Sequence, residues 1–376
     1  MRVLHVIVGL GVGGAELMLQ RLVESDPAGP HASVVVSLTS LGGIGESLRA
    51  RGVTVHALGM SSPLDAPRAL WRLVGLLRRH RPAIVQTWMY HSDLWGGAAA
   101  LLAGRFPVVW NVRSTDIPQG MFSVTYWVVR MCAVASYFLP GRIICCSESA
   151  RMAHVRLHYR ASLLTVIPNG YDFADLQFLA DARCTLRGEL DVGPEATLIG
   201  VVGRFDSLKD FGNFVSAAAR VAAIRGDVHF LMVGRGNDWT NKTLRGWIRG
   251  AGLELRFHLV GQQSRVAPYL SAMDVFCLSS VSEAFPNVVV EAMAVGLPCV
   301  VTRAGDAARI LDDEDWVVPT GDPDSLAAAL LRACALDPAG RRALGERNAR
   351  RARATYQIED VRRQYDAVYD GLLATR

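Results

Sequence analysis

The sequence predicts an α/β fold of two parallel-sheet domains, on three observations. Apolar strand-like runs alternate with helical patterns from the start, as in Val3 to Val8, then Leu17, Leu19 and Leu22, then Ser33 to Leu38. Wiring of this βαβ kind implies a mostly parallel sheet covered on both faces. Glycines follow strands at Gly9-Leu-Gly11-Val-Gly13-Gly14 and at Gly203, where the backbone turns sharply or approaches a ligand closely. A length of 376 residues suits two domains, each with its own core.

Taken in order, the first domain continues with a strand from Val53 to Leu58, a helix from Pro67 to His80 and a strand from Ala83 to Thr87. Trp88-Met-Tyr-His91-Ser-Asp93 leaves that strand at its carboxyl end, where such sheets carry function. Val108 to Arg113 is another strand with a polar end, and Arg113 is a candidate contact for an anionic ligand. Met121 to Leu139 is apolar almost all round apart from Arg130. A spanning helix needs about 20 apolar residues, and an arginine at its centre costs roughly 2.5 to 3.5 kcal/mol, which disfavours a membrane span. Two readings stay open for it: a buried helix between domains, or a helix in the membrane interface anchored by Phe122, Tyr126 and Trp127. Arg142 to Ser149 closes the first domain, and Val166-Ile-Pro-Asn169-Gly170-Tyr-Asp172 has the chemistry of a turn. The charged segment from Phe173 to Pro194 holds the domain boundary.

The second domain opens on a strand from Thr197 to Val202 followed by Gly203, Arg204 and Lys209. Two cations between a parallel strand and a helix suit a diphosphate, arginine acting as a planar fork and lysine as a point charge. A strand from Phe230 to Val233, a helix holding Trp239 and Trp247, and a strand at His258 to Gly261 come next. Asp274 to Leu278 is a strand, Ser279 to Pro286 a loop, Asn287 the start of a helix and Cys299 to Thr302 the returning strand. Asp312-Asp-Glu-Asp315 reads as a solvated loop, since adjacent carboxylates alone do not make a metal site. Asp322 caps a further helix, and the segment from Tyr356 to Leu373 is amphipathic.

Composition narrows the function classes. A net charge of +5 is mild, and no nucleic-acid partner is expected. Basic clusters at Arg78-Arg79-His80-Arg81, Arg341-Arg342 and Arg350-Arg351 leave room for an anionic surface. Seven cysteines without a C-x-x-C pair, with Cys132, Cys145, Cys146, Cys277 and Cys299 in apolar runs, read as buried free thiols in a reducing compartment. Met1 to Val8 has no small-residue cleavage site and runs straight into a glycine loop, so the expected location is the cytoplasm. Gly9, Gly11 and Gly14 match the G-x-G-x-x-G spacing of a dinucleotide site, but the second strand ends in Thr39-Ser40 and not in the acid such a site requires.

In SSVSEAFPNVVVEAMAVGLPCVVT, from Ser279 to Thr302, Glu283 and Glu291 stand eight residues apart around a loop that becomes a helix. This stretch resembles the nucleotide-sugar motif of retaining glycosyltransferases of family 4, with the GT-B fold, and motifs in that family's order run from Gly11 to Asp322. The resemblance implies two Rossmann-like domains facing across a cleft. Residues 1–178 would bind the acceptor and 190–355 the nucleotide sugar, with a helix over 356–376 returning to the first domain. Carried over residue by residue, Glu283 would contact hydroxyls of the donor sugar and Glu291 the ribose, with Phe285, Pro286, Asn287 and Val288 in the loop between them. A carboxylate suits both tasks because it accepts two hydrogen bonds from vicinal hydroxyls. Arg204 and Lys209 would hold the leaving diphosphate, and Gly13 and Gly14 would let the backbone approach donor and acceptor. His91 would reach the sugar near its anomeric carbon, and Asn169, lining the cleft, would bind the acceptor together with Arg113. The implied reaction moves a hexose or N-acetylhexosamine from a UDP-sugar to a lipid-linked or glycan acceptor of bacterial surface polysaccharide, with retention. Catalytic roles fall on His91, Glu283, Arg204 and Lys209, with no resident cofactor or metal expected. The apolar stretch 121–139 is consistent with peripheral contact at the inner face of the membrane. Two other classes stay open, a sugar-nucleotide-binding subunit without turnover and a nucleotide-sugar epimerase.

Overall fold

The computed structural model describes residues 1–26, 32–115 and 123–375. The chain divides into two units, Met1–Tyr171 with Tyr356–Arg376, and Asp172–Thr355.

The first unit runs β1 (Val3–Ile7), α1 (Gly14–Glu24), β2 (Ser33–Ser37), α2 (Gly42–Ala50), β3 (Thr54–Ala57), α3 (Ala66–His80), β4 (Ile84–Trp88), α4 (Tyr90–Gly104), β5 (Val108–Val112), α5 (Val124–Ala135), β6 (Arg142–Cys145), α6 (Glu148–Arg156) and β7 (Leu164–Val166). Its strands form one seven-stranded parallel sheet in the order β3-β2-β1-β4-β5-β6-β7. β1, β2, β4 and β5 are buried at every position, which is why they read as apolar runs without alternation. The winding direction reverses between β1 and β4, so the loops leaving these two neighbours diverge and open a crevice at their carboxyl ends.

The second unit runs α7 (Ala180–Glu189), β8 (Thr197–Val202), α8 (Phe211–Ile224), β9 (Val228–Val233), α9 (Lys242–Gly250), β10 (Phe257–Gly261), α10 (Ala267–Ala272), β11 (Val275–Leu278), α11 (Asn287–Val295), β12 (Cys299–Thr302), α12 (Ala307–Leu311), β13 (Val317–Val318), α13 (Pro323–Ala335) and α14 (Pro338–Tyr356). Six parallel strands lie in the order β10-β9-β8-β11-β12-β13, with the reversal between β8 and β11. Phe214 of α8 meets Phe230 and Phe257 edge-on at ring centroid distances of 6.1 Å, joining helix to sheet in the core.

The last helix, α15 (Ile358–Ala374), belongs to the first unit. It buries Ile358, Val361, Tyr365, Tyr369 and Leu372, a stripe at three- and four-residue spacing. Tyr369 hydrogen-bonds Gln86 of β4, and the Tyr365 hydroxyl accepts from Asn111 of β5 at 2.9 Å.

Two expectations are corrected. The apolar stretch forms a helix over Val124–Ala135 only, begun by Ser123, whose hydroxyl accepts from the Tyr126 N–H; Met121 and Phe122 lie outside the described residues. It buries Val129, Cys132 and Ala133 but exposes Val124, Trp127, Met131 and Val134, so it is not a buried helix. Second, α9 carries Trp247 without Trp239, because the Asn241 side chain accepts from the Thr243 and Leu244 N–H groups and fixes the helix start beyond Trp239. The acidic run is a loop with Asp312, Glu314 and Asp315 exposed, as read from the sequence, and arginines pair with it: Asp312 with Arg351 at 2.7 Å, Glu314 with Arg303 at 2.5 Å, and Asp313 with Arg347. Cys132, Cys145, Cys146, Cys277 and Cys299 are free thiols and buried, as read from their apolar runs.

Candidate active site

At the β8/β11 reversal, two loops distant in sequence are tied together. Arg204 follows β8, and Lys209 ends the turn Ser207–Lys209. That turn is bound to the loop after β11 by the Val281 N–H donating to the Leu208 carbonyl at 2.9 Å and the Ser279 hydroxyl donating to the Lys209 carbonyl at 2.8 Å. The result brings Lys209 Nζ to 2.5 Å from Glu283 Oε1, which also accepts from the Ser280 hydroxyl at 2.7 Å. Both charged groups are largely withdrawn from water, which is tolerable because each neutralises the other. Arg204, by contrast, is 60% exposed, with Nε donating to Asp206 at 2.9 Å. Asp206 also accepts from the Leu208 N–H at 3.0 Å, and that bond, helped by Arg204, holds its carboxyl below the usual range.

Glycine is required at two places around this cluster. Gly305 has φ +55°, and a Cβ on it would collide with the Glu283 carbonyl. Gly234 has φ +135°, and a Cβ there would collide with the carbonyl of Gly203, one residue before Arg204. Beyond Glu283, Phe285 and Pro286 are buried and lead into α11, whose N-cap Pro286 supplies no side-chain oxygen. α11 buries Val289, Val290 and Ala292 to Val295, so Asn287, Val288 and Glu291 form its accessible stripe. Asn287 and Glu291 are one turn apart on the same face. Its N-terminal end favours negative charge.

In the first unit, the β1/β4 reversal gathers Gly13, Gly14 and His91. Gly13 is the extended N-cap of α1, and a Cβ there would collide with the carboxylate of Glu16. Burial raises the pKa of Glu16, opposed by the hydrogen bond from its own N–H. His91 is the second residue of α4, half-buried, and burial lowers its pKa, which keeps the imidazole neutral at pH 7. Met89, just before α4, has φ 69° and ψ 160°, a region otherwise left to glycine. It is held there by its N–H donating to the Asn111 carbonyl at 3.0 Å and its sulfur accepting from the Arg113 N–H at 3.3 Å. Behind α4, His154 Nδ1 lies 2.7 Å from the Ala150 carbonyl and therefore carries the proton, so Nε2 accepts from the Tyr90 hydroxyl at 3.1 Å.

Arg113 and Asn169 are brought together. Arg113 Nη1 donates to Asn111 Oδ1 at 2.6 Å and to the Tyr365 hydroxyl at 3.0 Å, while Nη2 donates to Asn169. The guanidinium carbon lies 5.5 Å from the Trp88 ring centroid. Its fork is thus held by protein oxygens of β5, α15 and the turn at Asn169.

Ser280, Asp206, Gly305, Met89 and Tyr365 take part in these clusters without having been singled out in the sequence. Ser280, three residues before Glu283, had a local signal in the S-x-x-E spacing. Tyr365 had none, lying 254 residues from Asn111.

Two Rossmann-like parallel-sheet units, each with its polar cluster at a strand-order reversal, are the architecture of GT-B glycosyltransferases. Residues 12–175 match Glycosyltransferase Family 4, and residues 196–335 match Glycosyl transferases group 1. The chain belongs to this family of glycosyltransferases. It is 26% identical over 206 residues to N-acetyl-alpha-D-glucosaminyl L-malate synthase of Bacillus anthracis, an alignment spanning 54% of this chain and 53% of that protein. It is 26% identical over 270 residues to UDP-Gal:alpha-D-GlcNAc-diphosphoundecaprenol alpha-1,3-galactosyltransferase of Escherichia coli, 70% of each chain. With lipopolysaccharide core biosynthesis glycosyltransferase LpsD of Rhizobium meliloti it shares 24% over 385 residues, the full length of both. Its fold is similar to that of Anabaena HepE solved in complex with UDP-glucose, with TM-score 0.85 and 21% identity over 99% of this chain and 100% of that one. Sucrose-phosphate synthase from Thermosynechococcus elongatus matches with TM-score 0.81 and 21% identity over 100% of both chains.

Proposed function

We propose that this protein transfers a hexose or N-acetylhexosamine from a UDP-sugar to a lipid-linked or glycan acceptor in bacterial surface polysaccharide synthesis, with retention at the anomeric carbon. The observation that carries the reading is the cluster at the β8/β11 reversal, where Arg204, Lys209 and Glu283 converge beside the accessible stripe of α11. One cation there is exposed and the other is paired with a carboxylate that a sugar hydroxyl can engage. Supporting it are the name of one relative, a galactosyltransferase from UDP-galactose to a diphosphoundecaprenol-linked sugar, and that of a neighbour solved with UDP-glucose.

In this reading the second unit binds the donor and the first the acceptor. Arg204 and Lys209 hold the diphosphate, Glu283 the sugar hydroxyls and Glu291 the ribose, with Phe285, Pro286, Asn287 and Val288 shaping the loop. Gly13 and Gly14 admit the donor phosphate and the acceptor, neutral His91 hydrogen-bonds the sugar, and Arg113 with Asn169 contributes to acceptor binding. The bond from the anomeric carbon to the diphosphate oxygen breaks with its electron pair remaining on UDP. The acceptor oxygen bonds the same face of that carbon, and its proton passes to the departing diphosphate. Arg204 and Lys209 stabilise the charge that builds there, the same electrostatic role an oxyanion site plays. The protein works from the cytoplasmic side, in peripheral contact with the membrane.

The test supplies a panel of UDP-hexoses and UDP-N-acetylhexosamines with a polyprenyl-diphosphate-linked sugar and reads the anomeric configuration of the product by NMR. Transfer from an α-donor to an α-linked product is expected. A β-linked product contradicts retention, donor conversion without acceptor favours an epimerase, and tight UDP binding without turnover with any donor favours a binding subunit.

A further inference from the structure

We propose that α5 and the surface around it dock the first unit on an anionic phospholipid bilayer, with α5 lying in the headgroup region. This deepens the membrane contact in the reading above by naming the face and the lipid charge. Val124, Trp127, Met131 and Val134 follow one another at three- and four-residue spacing and are all exposed, so they form a single outward stripe on α5. Tyr137 and Phe138 extend it past the helix end, Phe138 being 79% exposed. Leu101 and Leu102, at the end of the neighbouring α4, are exposed as well. A run of large apolar side chains facing water marks an interaction surface.

Beside this stripe is a groove of about 450 Å³ between α5 and the turn after α6, lined by Arg130, Val134, Tyr137, Phe138, Leu157 and His158. Its walls are hydrocarbon and aromatic with the Arg130 guanidinium among them, which suits a lipid whose phosphate meets Arg130 while its chain lies along Val134 and Phe138.

Charge decides the occupant. Residues 66–163 contain twelve arginines, no lysine and three acids, although the whole chain carries only +5. Of those acids, Asp93 is fully buried, Glu148 is bound to Arg151 at 2.5 Å, and Asp116 lies outside the described residues. Arg78, Arg79, Arg105, Arg130, Arg156 and Arg160 are exposed. Arg78 also reaches the Leu102 carbonyl at 2.9 Å, which joins the basic end of α3 to the apolar end of α4. A second copy of the chain would bring two such positive faces together, which is repulsive. An anionic bilayer offers hydrocarbon for the stripe and phosphates for the arginines. At twelve residues α5 is too short to cross, and no helix among the described residues is long and apolar enough to do so.

The experiment is flotation of the full-length protein with vesicles of phosphatidylcholine alone and of phosphatidylcholine mixed with phosphatidylglycerol, at low and high salt. The expected result is binding to the mixed vesicles only, weakened by salt. Partition should fall about tenfold in the paired variant Trp127→Ser, Phe138→Ser and in Arg130→Glu, Arg156→Glu. Far-ultraviolet circular dichroism and thermal melts of each variant, matching wild type, show that the first unit still folds, and UDP affinity, which reports on the second unit, is measured alongside so that the two proposals stand or fall separately. Failure to bind the mixed vesicles at low salt overturns the inference, as does binding that both variants retain. Sedimentation velocity without lipid is the remaining check: a dimer that the Trp127→Ser, Phe138→Ser pair dissolves makes a second copy the occupant and also overturns it.

Discussion

Asp93 is fully buried two residues beyond His91, with the Thr87 hydroxyl donating to Oδ1 at 2.5 Å and, among the described residues, no hydrogen-bond partner at Oδ2. Burial pushes its carboxyl up to about 7, with the Thr87 bond opposing. Because the folded value lies above the unfolded one, the stability this group contributes is present at acid pH and is lost as pH rises from about 4 towards 7. The substitution Asp93→Asn would keep an acceptor for Thr87 without ever ionising. Urea unfolding of this variant and wild type at a series of pH values should therefore show the variant gaining on wild type between about pH 4 and 7 and levelling above, by at most on the order of 4 kcal/mol. Parallel curves would contradict the assignment. The Lys209–Glu283 pair gives a second prediction. Glu283→Gln keeps an acceptor for Ser280 but releases the ammonium, so transfer should fall about a hundredfold while UDP affinity holds or rises. A parallel loss of both, read by steady-state kinetics and calorimetry, would mean that Glu283 serves the fold or the nucleotide instead. For His91, burial lowers the pKa, so the acid limb of kcat/KM should lie below the usual histidine value of about 6.5 and be absent in His91→Asn. A limb that the variant retains belongs to another group.

At the scale of elements, Asp274 fixes α7 to the strand ends of the second sheet. Its carboxylate accepts from Arg183 at 2.6 Å, from Arg187 at 3.0 Å and from the Leu198 N–H at 2.8 Å. Removing a carboxylate from a mostly buried arginine leaves a charge uncompensated, so Asp274→Ala should lose about 3 kcal/mol in urea unfolding. A loss within about 0.5 kcal/mol would show the clamp to be ornamental at the surface. Elements with strong local patterns were legible in the chain: β1, β2, β4 and α11 start within a residue or so of their apolar or Pro-Asn signals. α2, from Gly42 to Ala50, was not, because GGIGESLRA is poor in helix formers and is held by packing on α1 and β3. The limits of α5 and α9 were overrun for another reason. Apolar content continues past both ends of α5, and only the caps at Ser123 and Asn241 say where the helices begin.

At the scale of the molecule, both sheets reverse their winding beside the first strand of the unit, and both candidate clusters sit at that reversal. The residue types of the second cluster could be read from GR, K and the two glutamates, since each lies next to a strand end. Their partners could not. Lys209 and Glu283 are 74 residues apart, and their pairing depends on β8 and β11 being neighbours, which no local pattern encodes. The same holds for Arg113, whose engagement by Tyr365 depends on α15 returning to the first sheet. We propose that UDP binds at the β8/β11 reversal, with Glu291 on its ribose and the Arg204 and Lys209 cations on its diphosphate. Calorimetric titration of the full chain with UDP, ADP, GDP and NAD, repeated for the best ligand on Glu291→Ala, tests it most directly. UDP should bind best and lose about tenfold in affinity, about 1.4 kcal/mol, on the substitution. If NAD binds best, or Glu291→Ala leaves UDP affinity unchanged, UDP does not bind at this reversal through Glu291 and the donor site lies elsewhere.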